Sequence, residues 1–215
     1  MRKDSKIVED LRIRLINGHF PPGQRLQPEK LRAHYGSSAS TLRESLFRLS
    51  TERLVDFHEQ RGFRAPASSP QLHHELTLMR IMLENEGARL SIRHGGVEWE
   101  ARLSAAHHKL SHIESRIRRE ATLVNMIDLW TAAEVEFHQT LIEASRSDTL
   151  RRTHLMIFNQ FRQQLFTNSE MLNYIPENVN QHKAILDAAL DRDEVRVAQA
   201  IYDHLKRNLL QHEPA

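Results

Sequence analysis

Four residues in the second half of the chain combine the side-chain types and the spacing that bind metal ions. Glu134 and His138 lie four residues apart, so on a helix both side chains project from the same face. His182 and His204 each recur with apolar residues at helical spacing, which predicts that both point towards the interior of a helical bundle. Buried imidazoles need polar partners, and a divalent metal ion is one way to satisfy all three. Spacing alone favours three separately hydrogen-bonded histidines over a shared metal ion, because residues distant in sequence cannot be shown to converge.

The other side chains that could bind metal or act as nucleophiles give little signal. The chain contains no cysteine, which excludes disulfides, zinc–thiolate sites and a cysteine nucleophile. No run of about 18 apolar residues occurs, so we expect no membrane-spanning segment and place the protein in the cytoplasm. Six further histidines lie among polar residues and are expected to be solvated: His73, His74, His107, His108, His112 and His154.

The charge of the chain is unevenly distributed along its length. Residues 1–68 carry 13 basic and 8 acidic side chains, a net charge of +5, whereas the remaining residues carry a net charge of −3. A basic first part suggests that it meets a polyanion, and a chance imbalance is the alternative.

The first seventy residues predict a small domain that would position cationic and hydroxyl side chains. Apolar residues at helical spacing indicate three helices, at about 5–17, 28–35 and 40–51. The period then becomes twofold, and residues 54–65 form a predicted β-hairpin with Gln60, Arg61 and Gly62 at its tip. Three helices followed by a β-ribbon make a winged helix-turn-helix, which inserts one helix into the DNA major groove. Its wing, led by Arg61, would reach the neighbouring backbone or the minor groove.

Beyond residue 70 the sequence predicts an all-α bundle. The proline-containing segment 65–70 marks a boundary, so we expect domains at 1–66 and 71–212. Six helices are predicted, at about 70–94, 97–119, 121–145, 148–170, 177–190 and 193–212. The fold class is therefore mainly α: a winged helix-turn-helix of three helices plus a β-hairpin, joined to a bundle of about six helices.

Two segments of the first domain resemble the GntR-type bacterial transcription regulators. Residues 18–26 (GHFPPGQRL) are similar to the family's turn signature, and residues 36–49 (GSSASTLRESLFRL) resemble its recognition segment. Arg61 and Gly62 also fit the family's wing tip. The resemblance implies that six of these residues contact DNA: Ser38, Ser40, Thr41, Arg43, Arg61 and Gly62. Arg32 departs from the family pattern and is expected to contact DNA as well.

The first domain departs from the family pattern at three positions. Ala39 stands where an arginine is usual, and loss of one bidentate arginine–guanine pair removes about 1–3 kcal/mol of base discrimination. Arg32 replaces a small residue and would compensate by touching a phosphate, a solvated side chain being the alternative. Arg53 replaces a usual glycine. We therefore expect an operator that differs from those of typical relatives.

The second domain resembles the FCD ligand-binding domain of FadR-type regulators. The similar segments are RIMLE at 80–84, EVEFH at 134–138, QHKAIL at 181–186 and the stretch from Asp193 to Leu205. In that family an acid and three histidines bind a divalent metal, and a small organic acid lies beside it. The resemblance implies one divalent ion per chain, zinc with nickel or manganese as alternatives, held by Glu134, His138, His182 and His204.

Two site residues keep alternatives open within this resemblance. Glu134 stands where an aspartate is usual, so it would ligate either directly or through a metal-bound water. Arg80 is suited to clamp the carboxylate of an effector, because a guanidinium binds a carboxylate through two hydrogen bonds. A salt bridge between Arg80 and Glu84 is the alternative.

The interpretation that unites these features is a ligand-responsive regulator rather than an enzyme. A homodimer would bind a palindromic double-stranded operator as a repressor and release it when a small carboxylate binds. A metal-dependent hydrolase is one alternative, because three histidines around an open metal position also describe a catalytic site. A DNA-binding protein without an effector is the other.

Overall fold

A computed structural model describes residues 3–120, 126–165 and 175–210 of the chain. The described residues fall into two compact units. The first contains the residues up to Ser69 together with a short stretch that begins at Asn159, and the second contains the rest, from Pro70 onwards. None of the described helices is long and apolar enough to cross a lipid bilayer.

The first unit is built on three helices: α1 (Lys3–Ile16), α2 (Pro28–Tyr35) and α3 (Ala39–Thr51). Their apolar stripes meet in one core, in which Leu11, Leu42 and Leu46 are fully buried. The three helices lie where apolar spacing predicts them.

The turn between α2 and α3 has a defined stop and start. α2 is capped at its C-terminus by Gly36, which adopts φ +53° and whose backbone N–H donates a hydrogen bond to Arg32 O. α3 begins after Ser38, whose Oγ accepts a hydrogen bond from Thr41 N at 3.1 Å. A left-handed glycine followed by a serine N-cap is a common way to join two helices at a fixed angle.

A three-stranded antiparallel sheet completes the first unit, with β1 (Arg25–Leu26), β2 (Asp56–His58) and β3 (Gly62–Arg64) in the order β1-β3-β2. β2 and β3 are the predicted hairpin, with Phe57 opposite Phe63. β1 was not predicted. A two-residue strand shows no period of its own, and it exists here because it pairs with β3.

Six helices build the second unit. The last part of one of them, from Asn159 onwards, belongs to the first unit. The six helices are α4 (Pro70–His94), α5 (Val97–Glu120), α6 (Ile127–Leu141), α7 (Asp148–Leu165), α8 (Ile175–Leu190) and α9 (Glu194–Leu205), with short 3-10 turns at Glu143–Ser145 and Lys206–Asn208. The prediction of a mainly helical protein with a winged helix-turn-helix and a helical bundle is confirmed. Predicted helix residues 121–125, 166–170 and 211–212 lie outside the described residues.

The core of this unit is aromatic and aliphatic. Trp99, Leu103, Phe137, Ile185 and Ile201 come from four different helices, and each is at most 2% exposed. Polar side chains buried in such an interior must find partners or ligands, because an unpaired buried polar group is costly. Every polar side chain that points into the bundle therefore needs a hydrogen-bond partner, an ion-pair partner or a ligand.

Candidate metal centre and nucleic-acid interface

Three of these inward-pointing side chains are histidines that the fold brings together. His138 of α6, His182 of α8 and His204 of α9 each offer a ring nitrogen within 4.8 Å of the others. Their side chains are buried, and the ring centroids lie 4.5 Å apart for His182 and His204 and 5.5 Å apart for the other two pairs. Three helices distant in sequence thus present three imidazoles to one small volume.

Each of these histidines has an oxygen atom close to its Nδ1. His138 Nδ1 lies 2.9 Å from Glu84 Oε2, His182 Nδ1 lies 3.1 Å from Glu114 Oε1, and His204 Nδ1 lies 3.2 Å from Gln181 Oε1. Metal-ligating histidines usually donate their other ring N–H to such an oxygen, which fixes the tautomer and the ring orientation. For His138 and His204 this pattern assigns Nδ1 to the protein and leaves Nε2 for a ligand, whereas neither ring nitrogen of His182 has a hydrogen-bond partner among the described residues.

The donor set fits a divalent transition metal. Within the part of the chain that the structure describes, the Nε2 atom of the fully buried His182 has no hydrogen-bond partner. A buried ring nitrogen in that state lacks the partner that an ion would supply. Three imidazole nitrogens suit zinc, nickel and related ions, whereas magnesium and calcium prefer oxygen.

Burial and a neighbouring carboxylate act in opposite directions on the pKa values of the cluster. Burial lowers the pKa of His138 to about 4 and lowers the pKa of His204 as well, so both rings are neutral at pH 7. Burial also acts against the charged form of His182, but the adjacent carboxylate of Glu114 outweighs it and raises the pKa of that ring. Neutral imidazole is the form that ligates a metal.

Glu134 is buried on the same face of α6, one turn before His138. Its carboxylate forms a second close group, with Glu114 and His182, in which the ligand atoms also lie within 4.8 Å of one another. His182 therefore belongs to both groups. The structure places Glu134 beside one of the three histidines, and its role as a ligand stays a prediction.

Arg80 lies in a buried polar network next to the histidines. Its Nε donates to Glu84 Oε1 at 2.9 Å, and its guanidinium lies over the ring of Phe158, 4.4 Å from the centroid. Glu84 is completely buried and also contacts His138 and His154. The structure thus shows the salt bridge between Arg80 and Glu84, and a contact between Arg80 and an effector stays a prediction.

His154 is a buried neighbour of the histidine cluster, which differs from the sequence-based prediction. It was expected to be solvated, but it is 0% exposed and its Nε2 lies 2.9 Å from Glu84 Oε1. Its sequence neighbours Arg151, Arg152 and Thr153 are polar, and they suggested an exposed position. The signal that could have found it is Phe158, which lies one turn later on the same face of α7 and is buried.

In the first unit, four predicted DNA-contacting residues lie at the start of α3. Ser40 and Arg43 are exposed, while Thr41 is half-buried. Ser38 caps the helix, and its Oγ lies 3.0 Å from Thr41 Oγ1. Ser38 therefore stabilises the helix whether or not it also contacts DNA.

The remaining predicted DNA contacts lie on either side of α3. Arg32 and Ser38 line one surface depression of about 630 Å³ at the turn between α2 and α3. Arg61 is exposed in the turn between β2 and β3, and the adjacent Gly62 adopts φ +72°, a conformation that favours glycine. The structure thus presents one guanidinium at the helix turn and another at the wing.

A winged helix-turn-helix unit followed by a helical bundle with buried histidines indicates a DNA-binding protein with a second, ligand-binding domain. Comparison with known families agrees, since "Bacterial regulatory proteins, gntR family" matches residues 3–64 and "FCD domain" matches residues 75–207. The chain belongs to the GntR family of transcription regulators and carries an FCD domain. These are DNA-binding regulators with an effector-binding domain rather than enzymes, so the hydrolase alternative is set aside.

The chain matches known transcription regulators over most of its own length and most of theirs. The chain is 32% identical over 200 residues to the HTH-type transcriptional regulator BphR of Paraburkholderia xenovorans, covering 93% of this chain and 80% of that protein. It is 29% identical to the HTH-type transcriptional repressor GlaR of Escherichia coli, covering 89% and 87%. The solved structure of E. coli McbR/YncC shares the fold, with a TM-score of 0.77 at 18% identity over 97% of this chain and 95% of that one.

Proposed function

We propose that the protein is a metal-containing repressor that binds a palindromic operator as a homodimer and releases it when a small carboxylate binds. The observation that carries the proposal is the burial of three converging histidines in the domain that GntR regulators use for effectors. The repressor role is supported by the similarity to GlaR, a transcriptional repressor of Escherichia coli. Because its DNA partner lies in the bacterial cytoplasm, we place the protein there.

In the DNA-binding unit, α3 supplies the base contacts and the wing supplies a backbone contact. Arg43 is exposed on α3, where a guanidinium can donate two hydrogen bonds to O6 and N7 of guanine. Ser40 and Thr41 offer hydroxyls, and Ser38 and Arg32 lie at the turn that precedes them. Arg61 and Gly62 form the wing tip, which approaches a phosphate.

In the FCD domain, His138, His182 and His204 with Glu134 would hold one divalent ion per chain, zinc with nickel or manganese as alternatives. When bound, the ion supplies open coordination positions for the oxygens of an anionic ligand. Glu84 and Gln181 orient the imidazoles of His138 and His204, and the carboxylate of Glu114 lies 3.1 Å from Nδ1 of His182. The carboxylate of Glu134, close to His182 and longer than the usual aspartate by one methylene, acts directly or through a water.

Arg80 is the residue that we assign to the effector. It already binds Glu84, which in turn contacts His138, so one guanidinium and one carboxylate join the effector site to the histidines. A small carboxylate that approaches Arg80 competes with Glu84 for the same donors. Such competition changes the packing of α4, α6 and α7, the helices that carry this network.

The test of the DNA contacts compares two arginines in fluorescence anisotropy with operator and random DNA. Arg43→Ala should weaken operator binding and relax base discrimination, because α3 loses its guanidinium. Arg61→Ala should instead weaken binding to both DNAs alike and reduce the salt slope by about one unit, as expected for one lost phosphate contact. If both variants bind the two DNAs as the parent does, the proposed contacts are wrong.

A further inference from the structure

An aromatic cluster on the first unit has no role in the contacts described so far. Phe47 of α3 packs edge-on against Phe57 of β2 with 5.7 Å between ring centroids, and Phe57 packs on Phe63 of β3 at 4.8 Å. Phe63 is buried, whereas Phe47 is 52% and Phe57 38% exposed. A stack of rings that begins in the core and ends at the surface is an apolar patch of the kind that marks a binding surface.

Phe47 lies on the same side of α3 as the proposed DNA contacts. It follows Ser40 by seven residues, which places it within about 20° of the same direction and about 10 Å further along the helix. Arg43, one turn before Phe47, is also exposed, while Leu42, Leu46 and Leu49 on the other side are fully buried. A groove that receives Ser40 and Arg43 therefore also receives Phe47.

The surroundings of the patch are complementary to DNA. A depression of about 450 Å³ is lined by six residues of α3 and the sheet: Arg43, Glu44, Phe47, Arg48, Phe57 and Phe63. The guanidinium of Arg48 suits a phosphate at its edge, beside the base contact proposed for Arg43, and the Glu44 carboxylate suits the amino group of cytosine. A second copy of this unit is a poor occupant, because residues 1–68 carry a net charge of +5.

We propose that Phe47 contacts the 5-methyl group of a thymine in each operator half-site and so contributes to sequence specificity. The thymine methyl is the apolar group that the major groove displays, and an exposed aromatic ring beside cationic side chains matches it. The inference rests on the proposed function, because it requires α3 to lie in the major groove.

The experiment replaces single thymines of the operator by uracil, which removes the methyl group and keeps the base pair. The operator is first mapped by footprinting with the full-length parent. We expect one thymine position in each half-site at which uracil weakens parent binding by about fourfold, the effect of one buried methyl. Phe47→Ala should bind thymine and uracil operators equally, and Phe47→Leu should keep part of the preference.

Ile13→Ala is the matched control, since Ile13 is an exposed apolar residue of α1 in the same unit, and it should discriminate as the parent does. The inference is overturned if the parent ignores uracil at every position, or if Phe47→Ala discriminates as well as the parent. The inference is also overturned if Phe47→Ala loses the dimer in sedimentation but still distinguishes thymine from uracil as the parent does. The aromatic patch would then be a contact between two copies of the chain. If the parent shows no specific DNA binding at all, the proposed function itself fails.

Discussion

The carboxylate of Glu84 shows how one buried residue can define the state of several others. It is fully buried, a position that by itself would raise its pKa, yet Arg80 and the neighbouring histidines hold that pKa well below its usual range. Glu84 is therefore ionised and accepts contacts from Arg80, His138 and His154. A charged carboxylate at this position orients the ring of His138 through Nδ1, which in the proposed metal site would leave Nε2 for the ion.

At the residue scale, the first prediction concerns metal content. Parent protein purified without a histidine tag should carry one divalent ion per chain. Alanine at His138, His182 or His204 should lower both the occupancy and the melting temperature, because the ion joins three helices. Glu134→Gln should be milder than any histidine change if Glu134 acts through water, and Glu134→Asp should preserve or tighten binding. The measurement is elemental analysis beside thermal unfolding.

His112→Ala, at an exposed position of α5, is the control and should keep the metal content of the parent. Parent protein that stays metal-free after incubation with zinc, nickel and manganese would remove the metal proposal. The three histidines would then be core residues, with His138 and His204 hydrogen-bonded to Glu84 and Gln181 and His182 beside the carboxylate of Glu114.

A second prediction at this scale concerns the pH dependence of stability. Burial and the charge of Arg80 lower the pKa of His73 to about 4, below the unfolded value near 6.5. The unfolded chain therefore binds more protons between these values, so this contribution to stability is present above pH 6.5 and is lost as the pH falls towards 4. For a half-buried ring screened by solvent the loss by pH 5 is about 1 kcal/mol.

Urea unfolding at pH 7 and pH 5 measures this contribution. Between pH 7 and pH 5 the free energy of unfolding should fall by less in His73→Gln than in the parent. In His112→Gln it should fall by as much as in the parent. Equal losses in all three proteins would contradict the assignment.

The limits of sequence reasoning at this scale are clear from individual side chains. The spacing of Glu134 and His138 indicated which residues share a face of α6, because neighbours on a helix follow from its period. It could not identify Glu114, which comes from α5 and lies next to His182 only after folding. It also misplaced His154, because burial on α7 depends on helices far away in sequence.

At the scale of elements, the end of α3 explains one departure from the family pattern. Arg53, in the position of a usual glycine, adopts φ +59°. Arg53 N donates to Ser50 O and Leu54 N donates to Leu49 O at 3.0 Å, so the helix ends in a left-handed turn of the kind glycine favours. A residue with a Cβ in this conformation is strained by about 1–2 kcal/mol.

We therefore predict that Arg53→Gly stabilises the protein by about 1 kcal/mol, since glycine relieves the strain but makes the unfolded chain more flexible. Arg53→Ala removes the charge and keeps the Cβ, so it should give no comparable gain. Urea unfolding of the three proteins measures the difference. A gain from alanine equal to that from glycine would assign the effect to charge instead.

The helices and the wing were predictable from sequence, whereas β1 was not. Leu42, Leu46 and Leu49 recur at the period of α3, so they indicate the helix and its buried face without tertiary information. Arg25 and Leu26 form a strand only through pairing with Arg64 and Phe63, some forty residues later. Short strands defined by a partner carry no local signal.

At the scale of the whole molecule, charge separates the two functions of the chain. The first 68 residues carry +5 and the remainder −3, so electrostatic attraction to DNA is concentrated in the unit that carries α3 and the wing. Because the attraction to DNA lies in the first unit, an effector bound to the FCD domain acts on DNA affinity by changing the population of the DNA-binding conformation. Binding of an effector and binding of an operator are in that case linked.

The last prediction is that this linkage is reciprocal. If an acid weakens operator binding by a given factor, saturating operator must weaken acid binding by the same factor, about 5–150-fold in typical systems. Lactate, glycolate, succinate and citrate are screened by thermal shift with metal-loaded protein, and an acid that raises the melting temperature is titrated calorimetrically with operator, with random DNA and without DNA. Operator should weaken its binding, and random DNA should have a smaller effect. An acid that binds equally well in all three titrations is no effector, because a ligand without differential affinity for the two states shifts neither of them.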